Sequence, residues 1–259
     1  MMPCDGCHAL ILQRLHRKNQ CESVLESPDM QSRLREHGQL YLASNSPRRR
    51  ELLSLSGLEY TLLPALVDET PLAGEDPAAY VRRVAGSKAL MALPRACANG
   101  VICTADTAVV DGAGSGKPAI LGKPADRDEA ITMLLSLRGH THQVLTAITL
   151  LLVRDGTIRS DLCTTDVSMR DYSDDEIETY VNSGDPLDKA GAYAIQHAGF
   201  HPVDQLRGCY ANVLGLPLCH LVRNLLPLGI FPPVDVPQAC QAALAYDCPV
   251  SKAILKNVI

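Results

Sequence analysis

The sequence predicts an α/β protein with a mixed central sheet, and two observations lead to that class. Apolar runs of strand length alternate along the chain with segments that show helical periodicity and begin with helix-start signals. The composition, 46% hydrophobic and 20% charged over 259 residues, is typical of a globular protein that buries one sizeable core. No internal repeat is visible. An alternating order of this kind favours helices packed on a sheet.

The first ordered element is predicted to be a short apolar strand that ends at Ala43, followed by a polar turn and a helix. Ser46 is a suitable N-cap for that helix. Pro47 suits its first position, where a missing N–H costs nothing. The leucines of residues 52–55 give the helix a side that faces the core. The strand, turn and helix therefore form one unit.

The remaining elements follow from similar signals. Asp126-x-x-Glu129 and Ser173-x-x-Glu176 have the capping-box pattern of helix starts. In order, the predicted elements are a strand over 60–67, a helix over 77–93 with Val81, Val84 and Leu90 on one side, a strand over 101–110, a Gly/Pro-rich loop over 112–123, a helix from 126, strands over 144–153 and 163–169, a helix to about 182, and a helix over 213–226. Residues 1–38 are interpreted as an N-terminal extension, 39–230 as the main domain, and 231–259 as a tail after Pro232-Pro233.

The turn before Pro47 has the features of an anion site. A helix N-terminus presents unpaired N–H groups and the positive end of the helix dipole. Ser44 and Ser46 add hydroxyls, and Arg48-Arg49-Arg50 adds guanidinium groups that pair well with phosphate oxygens. A phosphate-binding loop and a solvent-exposed basic helix start are equally compatible with this composition. The P-loop pattern of glycines and lysine is absent.

Asp106 lies inside the most apolar predicted strand. A buried carboxylate must be paired, metal-bound or at the end of its strand, because burying it alone is expensive. Since Thr107 and the apolar residues 108–110 continue the strand, we favour a role as general base or as ligand of a hard cation. Asp68-Glu69 is typical of a solvated loop, but near a phosphate site it would hold Mg²⁺.

Other polar residues allow two interpretations. Lys88 and Lys123, each taken alone, are typical of surface lysines. Residues 188–196 combine a charged pair, a run of small residues, and Tyr193 and Gln196, which are able to stack on a base or to hydrogen bond with it. A closely packed loop would have the same composition.

Ten cysteines raise the question of metal or redox chemistry. Cys4-x-x-Cys7 has a zinc or redox spacing, but no second such pair follows, so metal binding there is a minor alternative. The other cysteines are interpreted as reduced, buried thiols. His140 and His142 form no recognisable metal motif, and one of them is expected to be a structural hydrogen-bond partner.

The net charge and the hydropathy pattern limit the classes of partner that the protein can bind. The net charge of −5 gives no general attraction to nucleic acid. No apolar run reaches transmembrane length, and the basic N-terminus lacks the apolar segment of a signal peptide. We therefore expect a cytoplasmic protein that binds neither nucleic acid nor membrane.

Between Leu40 and Leu226 the chain resembles the Maf family, because seven fragments occur in that family's order. They are Ser44-x-Ser46-Pro47-Arg48-Arg49, Val67-Asp68-Glu69, Ala105-Asp106-Thr107, Leu121-Gly122-Lys123-Pro124, Gly139-His140-Thr141-His142, Asp188-Lys189-Ala190-Gly191-Ala192-Tyr193 and Asn212-Val213-x-Gly215-Leu216-Pro217. The resemblance implies an ITPase-like fold, an elongated mixed sheet flanked by helices in two lobes with a cleft. It also implies a nucleoside triphosphate pyrophosphatase that uses a divalent cation, Mg²⁺ or Mn²⁺, to release a monophosphate and pyrophosphate.

The resemblance also assigns roles. It implies Asp106 as proton acceptor, with Lys88 and Lys123 as catalytic partners and Glu69 and Asp106 as metal ligands. The substrate-binding residues that it implies are Ser44, Ser46, Arg48, Arg49, Thr107, Lys189 and Gln196. The form of residues 189–196 resembles the branch that acts on dTTP and UTP and cleans the nucleotide pool. A preference for 7-methyl-GTP and a non-catalytic, nucleotide-binding regulator of cell division are the alternatives. A homodimer is plausible on the same resemblance.

The chain departs from the family's pattern at three places. The loop over 111–119 is longer and richer in glycine than usual, and His140 stands where arginine is more typical. The N-terminal extension and the C-terminal tail have no counterpart in the family's core. The resemblance implies no role for either segment.

Overall fold

The computed structural model describes residues 38–112 and 118–256, and these contain one mixed sheet of seven strands. The strand order is β2-β1-β3-β5-β6-β7, and β4 also pairs with β3. β1 runs parallel to β2 and β3, and the other pairs are antiparallel. The bounds are β1 Leu40–Leu42, β2 Thr61–Leu62, β3 Val101–Asp111, β4 Ala119–Leu121, β5 Thr141–Leu152, β6 Ile158–Met169 and β7 Val203–Arg207. The predicted mixed α/β class is confirmed.

Helices connect most of these strands and follow the last one. The α-helices are α1 Pro47–Ser54, α2 Pro77–Ala92, α3 Arg127–Leu137, α4 Asp174–Asn182, α5 Tyr210–Val213, α6 Leu218–Leu225, α7 Val236–Leu244 and α8 Ser251–Leu255. Short 3-10 turns cover Leu93–Arg95, Asp185–Asp188, Ala190–Ala192 and Leu226–Leu228. In the described ranges 38–112 and 118–256, no helix is both long and apolar enough to cross a membrane.

The predicted helix starts are confirmed by their capping hydrogen bonds. The backbone N–H of Arg49 donates to the Ser46 side chain at the start of α1. Asp76, Asp126 and Ser173 cap α2, α3 and α4 in the same way, each by accepting from the backbone three residues on. A side chain that accepts this bond satisfies one of the N–H groups that the first helical turn leaves unpaired.

Four local predictions were wrong, three in the extent of an element and one in the exposure of a side chain. The strand expected over 60–67 pairs only at Thr61–Leu62. The helix expected from residue 213 begins at Leu218, because Gly215, with φ of +103°, and the following Leu-Pro interrupt it. The loop expected over 112–123 includes strand β4. Leu90, expected on the inner side of α2, is 55% exposed.

The chain after Pro232-Pro233, which the sequence led us to treat as a tail after the ordered body, contains α7 and α8. Asp235 caps α7 by accepting from the backbone of Gln238. Val236 and Cys240, one helical turn apart, are buried in the same apolar cluster as the leucines of α6. The ordered part therefore extends past the prolines, because this segment has its own cap and its own apolar side.

The cysteines of the described residues are mostly free, as expected. Five are buried and one is half-buried: Cys103, Cys163, Cys209, Cys219, Cys240 and Cys248. Cys97 differs from that expectation because it is disulfide-bonded. Cys4 and Cys7, the possible metal pair, lie outside the described residues.

Strand β3 directs alternate side chains to opposite faces of the sheet. Cys103 and Ala105 pack in the cluster that contains α1 and α6, whereas Ala108 and Val110 pack in the cluster that contains α2. Asp106 lies in the second, even-numbered set, on the α2 side. The side chain of Thr107 lies on the opposite face of the sheet, the face on which α1 and α6 pack.

One edge of β3 is only partly covered. β5 pairs along one edge from Val101 to Val110, so β1 and β4 must share the other edge. β1 pairs with residues 101–103 and β4 with residues 109–111. Within the described part of the chain, no strand pairs with the interval between them. Asp106 and Thr107 lie in this gap, next to the turn that leaves β1.

Candidate active site

Asp106 is a buried carboxylate, and one of its two oxygens is paired within the described part of the chain. Its residue is 4% exposed, and its Oδ1 accepts a hydrogen bond of 2.6 Å from Lys88 Nζ. Its Oδ2 is buried and has no hydrogen-bond partner in the described residues. Burial raises the pKa of the Asp106 carboxyl, and the positive charges of Lys88 and Arg49 oppose that shift. The group has the properties of a base that would accept a proton readily.

Lys88 reaches Asp106 from α2. Its residue is 6% exposed, and it follows Val81, Val84 and Ala85 at helical spacing, on the buried side of the helix. Its Nζ also lies 2.8 Å from Glu69 Oε1. One ammonium therefore joins two carboxylates that belong to different segments.

The loop that bears Glu69 is fixed by α2. The Tyr80 hydroxyl donates to the Glu69 carbonyl at 2.8 Å, and Arg83 donates to the Thr70 carbonyl at 3.1 Å. Burial opposes ionisation of Glu69, but the hydrogen bond and charge of Lys88 and the charges of Lys123 and Arg49 outweigh it and lower the pKa of its carboxyl. Glu69 is thus ionised near neutral pH and open to solvent, with a side chain that is 49% exposed.

The turn after β1 holds its serines and Arg49 in fixed positions. Ser44 is buried, and its Oγ accepts from the Ser46 backbone N–H at 3.2 Å. Arg49 donates from Nε to the Gly215 carbonyl at 2.8 Å and from Nη2 to Thr107 Oγ1 at 3.0 Å. Burial lowers the pKa of Arg49, while Asp106 and Glu69 raise it. The guanidinium keeps its charge, since arginine does not deprotonate in proteins.

A chain of hydrogen bonds that sequence reasoning missed supports the Arg49 side. Thr107 Oγ1 and Thr146 Oγ1 are 2.9 Å apart, and Thr146 Oγ1 donates to the Asn212 carbonyl at 3.0 Å. Thr146 is the residue opposite Thr107 in the β3–β5 register, so strand pairing was the available signal. A Cβ at Gly215 would lie 3.2 Å from both Arg49 Nε and Thr107 Oγ1, so the close approach of this carbonyl favours glycine.

Arg48 and Gln196 lie together in a separate pocket beside α1. Both line an open pocket of about 200 Å³, beside apolar side chains of α1 and of the segment after α5. Burial raises the pKa of the Tyr210 hydroxyl, and the nearby Gln196 side chain opposes that shift. The structure therefore groups these two predicted residues apart from the Asp106–Lys88 pair.

The two remaining predicted lysines differ in position. Lys123 is exposed in the turn after β4, and its charge acts on Glu69. Lys189 donates to Asp185 and Asp188 carboxylates at 2.9 and 2.6 Å, so it does not contact the Asp106 cluster. The segment around Lys189 does approach the Lys123 turn, since the Gly191 N–H donates to the Gly122 carbonyl at 3.0 Å.

His142 is a buried hydrogen-bond partner, as expected of one of the two histidines. Its Nε2 lies 2.8 Å from the Tyr193 hydroxyl. Burial lowers the pKa of His142 to about 4, so the ring is neutral at physiological pH. His140, for its part, has Nδ1 3.0 Å from the Ser136 carbonyl.

The residues present fit a divalent cation only in part. In the ranges 38–112 and 118–256, no group of three or more acidic, histidine or cysteine side chains is placed to hold a metal ion. Asp106 and Glu69 nevertheless converge on Lys88, and Asp106 Oδ2 is an oxygen ligand without a partner among the described residues. Mg²⁺ commonly binds through one or two carboxylates together with substrate phosphates. The donor set thus fits a cation that arrives with a polyphosphate.

Comparison with known proteins gives consistent matches. The model of a family described as Maf-like protein matches residues 39–227. A protein from Dehalococcoides mccartyi named dTTP/UTP pyrophosphatase is 41% identical over 194 residues, which cover 75% of this chain and 84% of that protein. One of the same name from Anaeromyxobacter dehalogenans is 44% identical over 200 residues, 76% of this chain and 98% of that protein.

One solved structure overlaps with part of the chain. It is described as a nucleoside-triphosphatase, dITP/XTP pyrophosphatase, from Mycobacterium abscessus. The overlap has a TM-score of 0.33 at 15% identity and covers 52% of this chain and 75% of that one. At this TM-score the overlap adds nothing to what the sequence matches show.

Proposed function

This chain belongs to the Maf family, and we propose that it hydrolyses dTTP and UTP to the nucleoside monophosphate and pyrophosphate. The observation on which the proposal rests is Asp106. Its carboxylate is buried in the gap on the edge of β3, its Oδ1 is held by Lys88, and its Oδ2 has no partner among the described residues. A base with a free oxygen beside a helix N-terminus rich in arginine suits water attack on a phosphoanhydride.

In the proposed reaction, Asp106 Oδ2 accepts a proton from a water molecule. The oxygen of that water forms a bond to the α-phosphorus of the triphosphate. The bond between the α-phosphorus and its bridging oxygen to the β-phosphorus breaks, and pyrophosphate leaves with the electron pair. Lys88 keeps Asp106 Oδ1 in place, so that the other oxygen stays available.

Positive groups around the gap would stabilise the negative charge of the phosphates. Arg49 is fixed by Gly215 and Thr107, and Ser44 is held in the turn at the start of α1. Lys123 approaches from the turn after β4. Catalysis of phosphoryl transfer depends mainly on positioning and electrostatics, and Arg49 and Ser44 are held in place before substrate arrives.

Asp106 and Glu69 are the residues that would hold Mg²⁺ or Mn²⁺ with the substrate. When bound, the cation would neutralise phosphate charge and polarise the phosphoryl oxygens. Glu69 suits this task because it is ionised and half-exposed, whereas Asp106 is buried. We place the activity in the cytoplasm, where it would remove unwanted nucleotides from the pool. A homodimer stays a prediction from the family resemblance.

The experiment that tests the proposal is pyrophosphate release from dTTP, UTP, CTP and 7-methyl-GTP with Mg²⁺ or Mn²⁺. We expect the highest kcat/KM for dTTP and UTP. A preference for 7-methyl-GTP would contradict the assigned substrate while leaving the reaction type intact. If a folded preparation released no pyrophosphate from any of the four, the proposed enzyme activity would be wrong.

A further inference from the structure

We propose that helix α7, which lies outside the part of the chain that matches the family model, completes the pocket that receives the nucleoside of the substrate. Ala243 and Leu244, at the C-terminal end of α7, line the same pocket as Arg48 and Gln196. The family match ends at residue 227. The inference rests on the proposed function for the identity of the ligand, and it assigns part of substrate binding to a segment that lies beyond the family match.

The position of the pocket favours the nucleoside over the phosphates. Arg48 is the neighbour of Arg49, whose guanidinium is fixed by Gly215 and Thr107 and interacts with the charge of Asp106. Arg48 itself lines the pocket. Adjacent residues of α1 therefore serve the two places, Arg49 the phosphate side and Arg48 the pocket, which favours the pocket for the nucleoside end of the same substrate.

The chemistry of the pocket wall matches a nucleobase and its sugar. Arg48, Glu51 and Gln196 supply polar groups, which suit the edge of a base or sugar hydroxyls. Leu214, Ala243 and Leu244 supply apolar surface, which suits the faces of a ring. With a volume of about 200 Å³, the pocket is suited to a small ligand group.

Helix α7 is held firmly enough to act as a wall. Its Val236 and Cys240 are buried in the main cluster, and Leu244 packs against that cluster from its edge. The chain then turns at Ala245, which has a left-handed conformation with φ of +47°. This turn places Tyr246 against the body of the protein, where its hydroxyl donates to the Gly208 carbonyl at 3.1 Å.

A second contact of Tyr246 lies close to Gln196. The rings of Tyr246 and Tyr210 have centroids 5.5 Å apart, and the Gln196 side chain acts on the pKa of the Tyr210 hydroxyl. The C-terminal segment thus supplies Ala243 and Leu244 to the pocket and packs against Tyr210, a neighbour of Gln196.

The test compares Ala243→Phe with Ala242→Phe. Both alanines are exposed on α7, but only Ala243 lines the pocket, so the two variants differ in where the added ring lies. Binding is measured by calorimetry with two ligands, a dTTP analogue that has an imido group between the α- and β-phosphorus, and inorganic tripolyphosphate. Melting curves confirm that both variants are folded.

We expect Ala243→Phe to weaken binding of the analogue about tenfold or more, because the ring occupies the pocket, and to leave binding of tripolyphosphate unchanged. Ala242→Phe should resemble the wild type with both ligands. Equal analogue affinity in the two variants, or an equal loss for both ligands in Ala243→Phe, would overturn the inference.

The experiment distinguishes failure of the inference about α7 from failure of the proposed enzyme activity. Binding of the analogue does not require turnover, so a wild-type protein that binds it without hydrolysing dTTP would contradict the enzyme proposal alone. A wild-type protein that binds tripolyphosphate but shows no added affinity for the analogue would overturn the inference about α7.

Discussion

The proposed phosphate end and the proposed nucleoside end of the site are built in different ways. At the phosphate end, Asp106 and Lys88 are buried and joined at 2.6 Å on two regular elements, β3 and α2. At the nucleoside end, Gln196 is exposed in a loop and the wall includes α7. The first arrangement suits groups that must not move during the reaction. The second can change its ligand preference without disturbing the core.

The largest expected effect comes from Asp106→Asn. The amide cannot accept the proton from water, so kcat for dTTP should fall by about 100-fold or more while KM changes little. The measurement is steady-state pyrophosphate release, with far-ultraviolet circular dichroism to confirm the fold. Retention of wild-type kcat would contradict the role of Asp106 as base.

Lys88→Met should be next in size. The apolar stem is kept, but Asp106 and Glu69 lose their common partner, and we expect kcat to fall on the order of 100-fold. Stability should fall too, because a buried carboxylate loses its counter-charge. Arg82→Met, an exposed position on the same helix, is the control. Equal kcat values in the two variants would show that Lys88 does not act on the phosphate end.

At the nucleoside end, Gln196→Leu should affect binding more than turnover. Loss of the amide removes a polar group from the pocket, so KM for dTTP should rise about tenfold, with kcat within a factor of a few. Gln205→Leu, an exposed glutamine on β7, controls for added surface hydrophobicity. A fall in kcat with unchanged KM would contradict the separation of the two ends.

The smallest expected effect is a change in how the folding stability of Asp106→Asn depends on pH. Burial raises the pKa of Asp106 in the folded state above its unfolded value, so folding binds a proton between the two values. The ionised group therefore lowers stability as pH rises through that window, and neutral asparagine does not. The Tm of Asp106→Asn relative to wild type should therefore increase as pH rises through that window.

The control for this prediction is the same pair of proteins below about pH 3, well under the unfolded aspartate pKa of about 3.9. There Asp106 holds its proton in both the folded and the unfolded protein, and the Tm difference should no longer vary with pH. A Tm difference that fell as pH rose would contradict the assigned direction.

The sequence predicted the parts of the fold and site that depend on local chemistry. The caps at Ser46 and Asp76 follow from residue type and spacing alone. Asp106 was identified because a carboxylate inside an apolar strand is costly without a partner. The mixed sheet followed from the alternation of strands and helices.

Contacts between distant segments were not predictable in the same way. Lys88 looks like any helical lysine until the sheet brings Asp106 to it, 18 residues away. Arg49 and Gly215 are 166 residues apart, and no periodicity joins them. The packing of α7 was missed because Pro232-Pro233 resembles the end of a domain, whereas the cap at Asp235 starts a new helix. Tertiary contacts, not local preference, decide these features.

The most direct test of the central claim follows the attacking oxygen. Turnover of dTTP in water labelled with heavy oxygen, analysed by mass spectrometry of the products, reports which phosphorus the water attacks. If Asp106 directs water to the α-phosphorus, the label appears in dTMP and pyrophosphate remains unlabelled. Label in pyrophosphate or in free phosphate would place the attack at the β- or γ-phosphorus and would contradict the account.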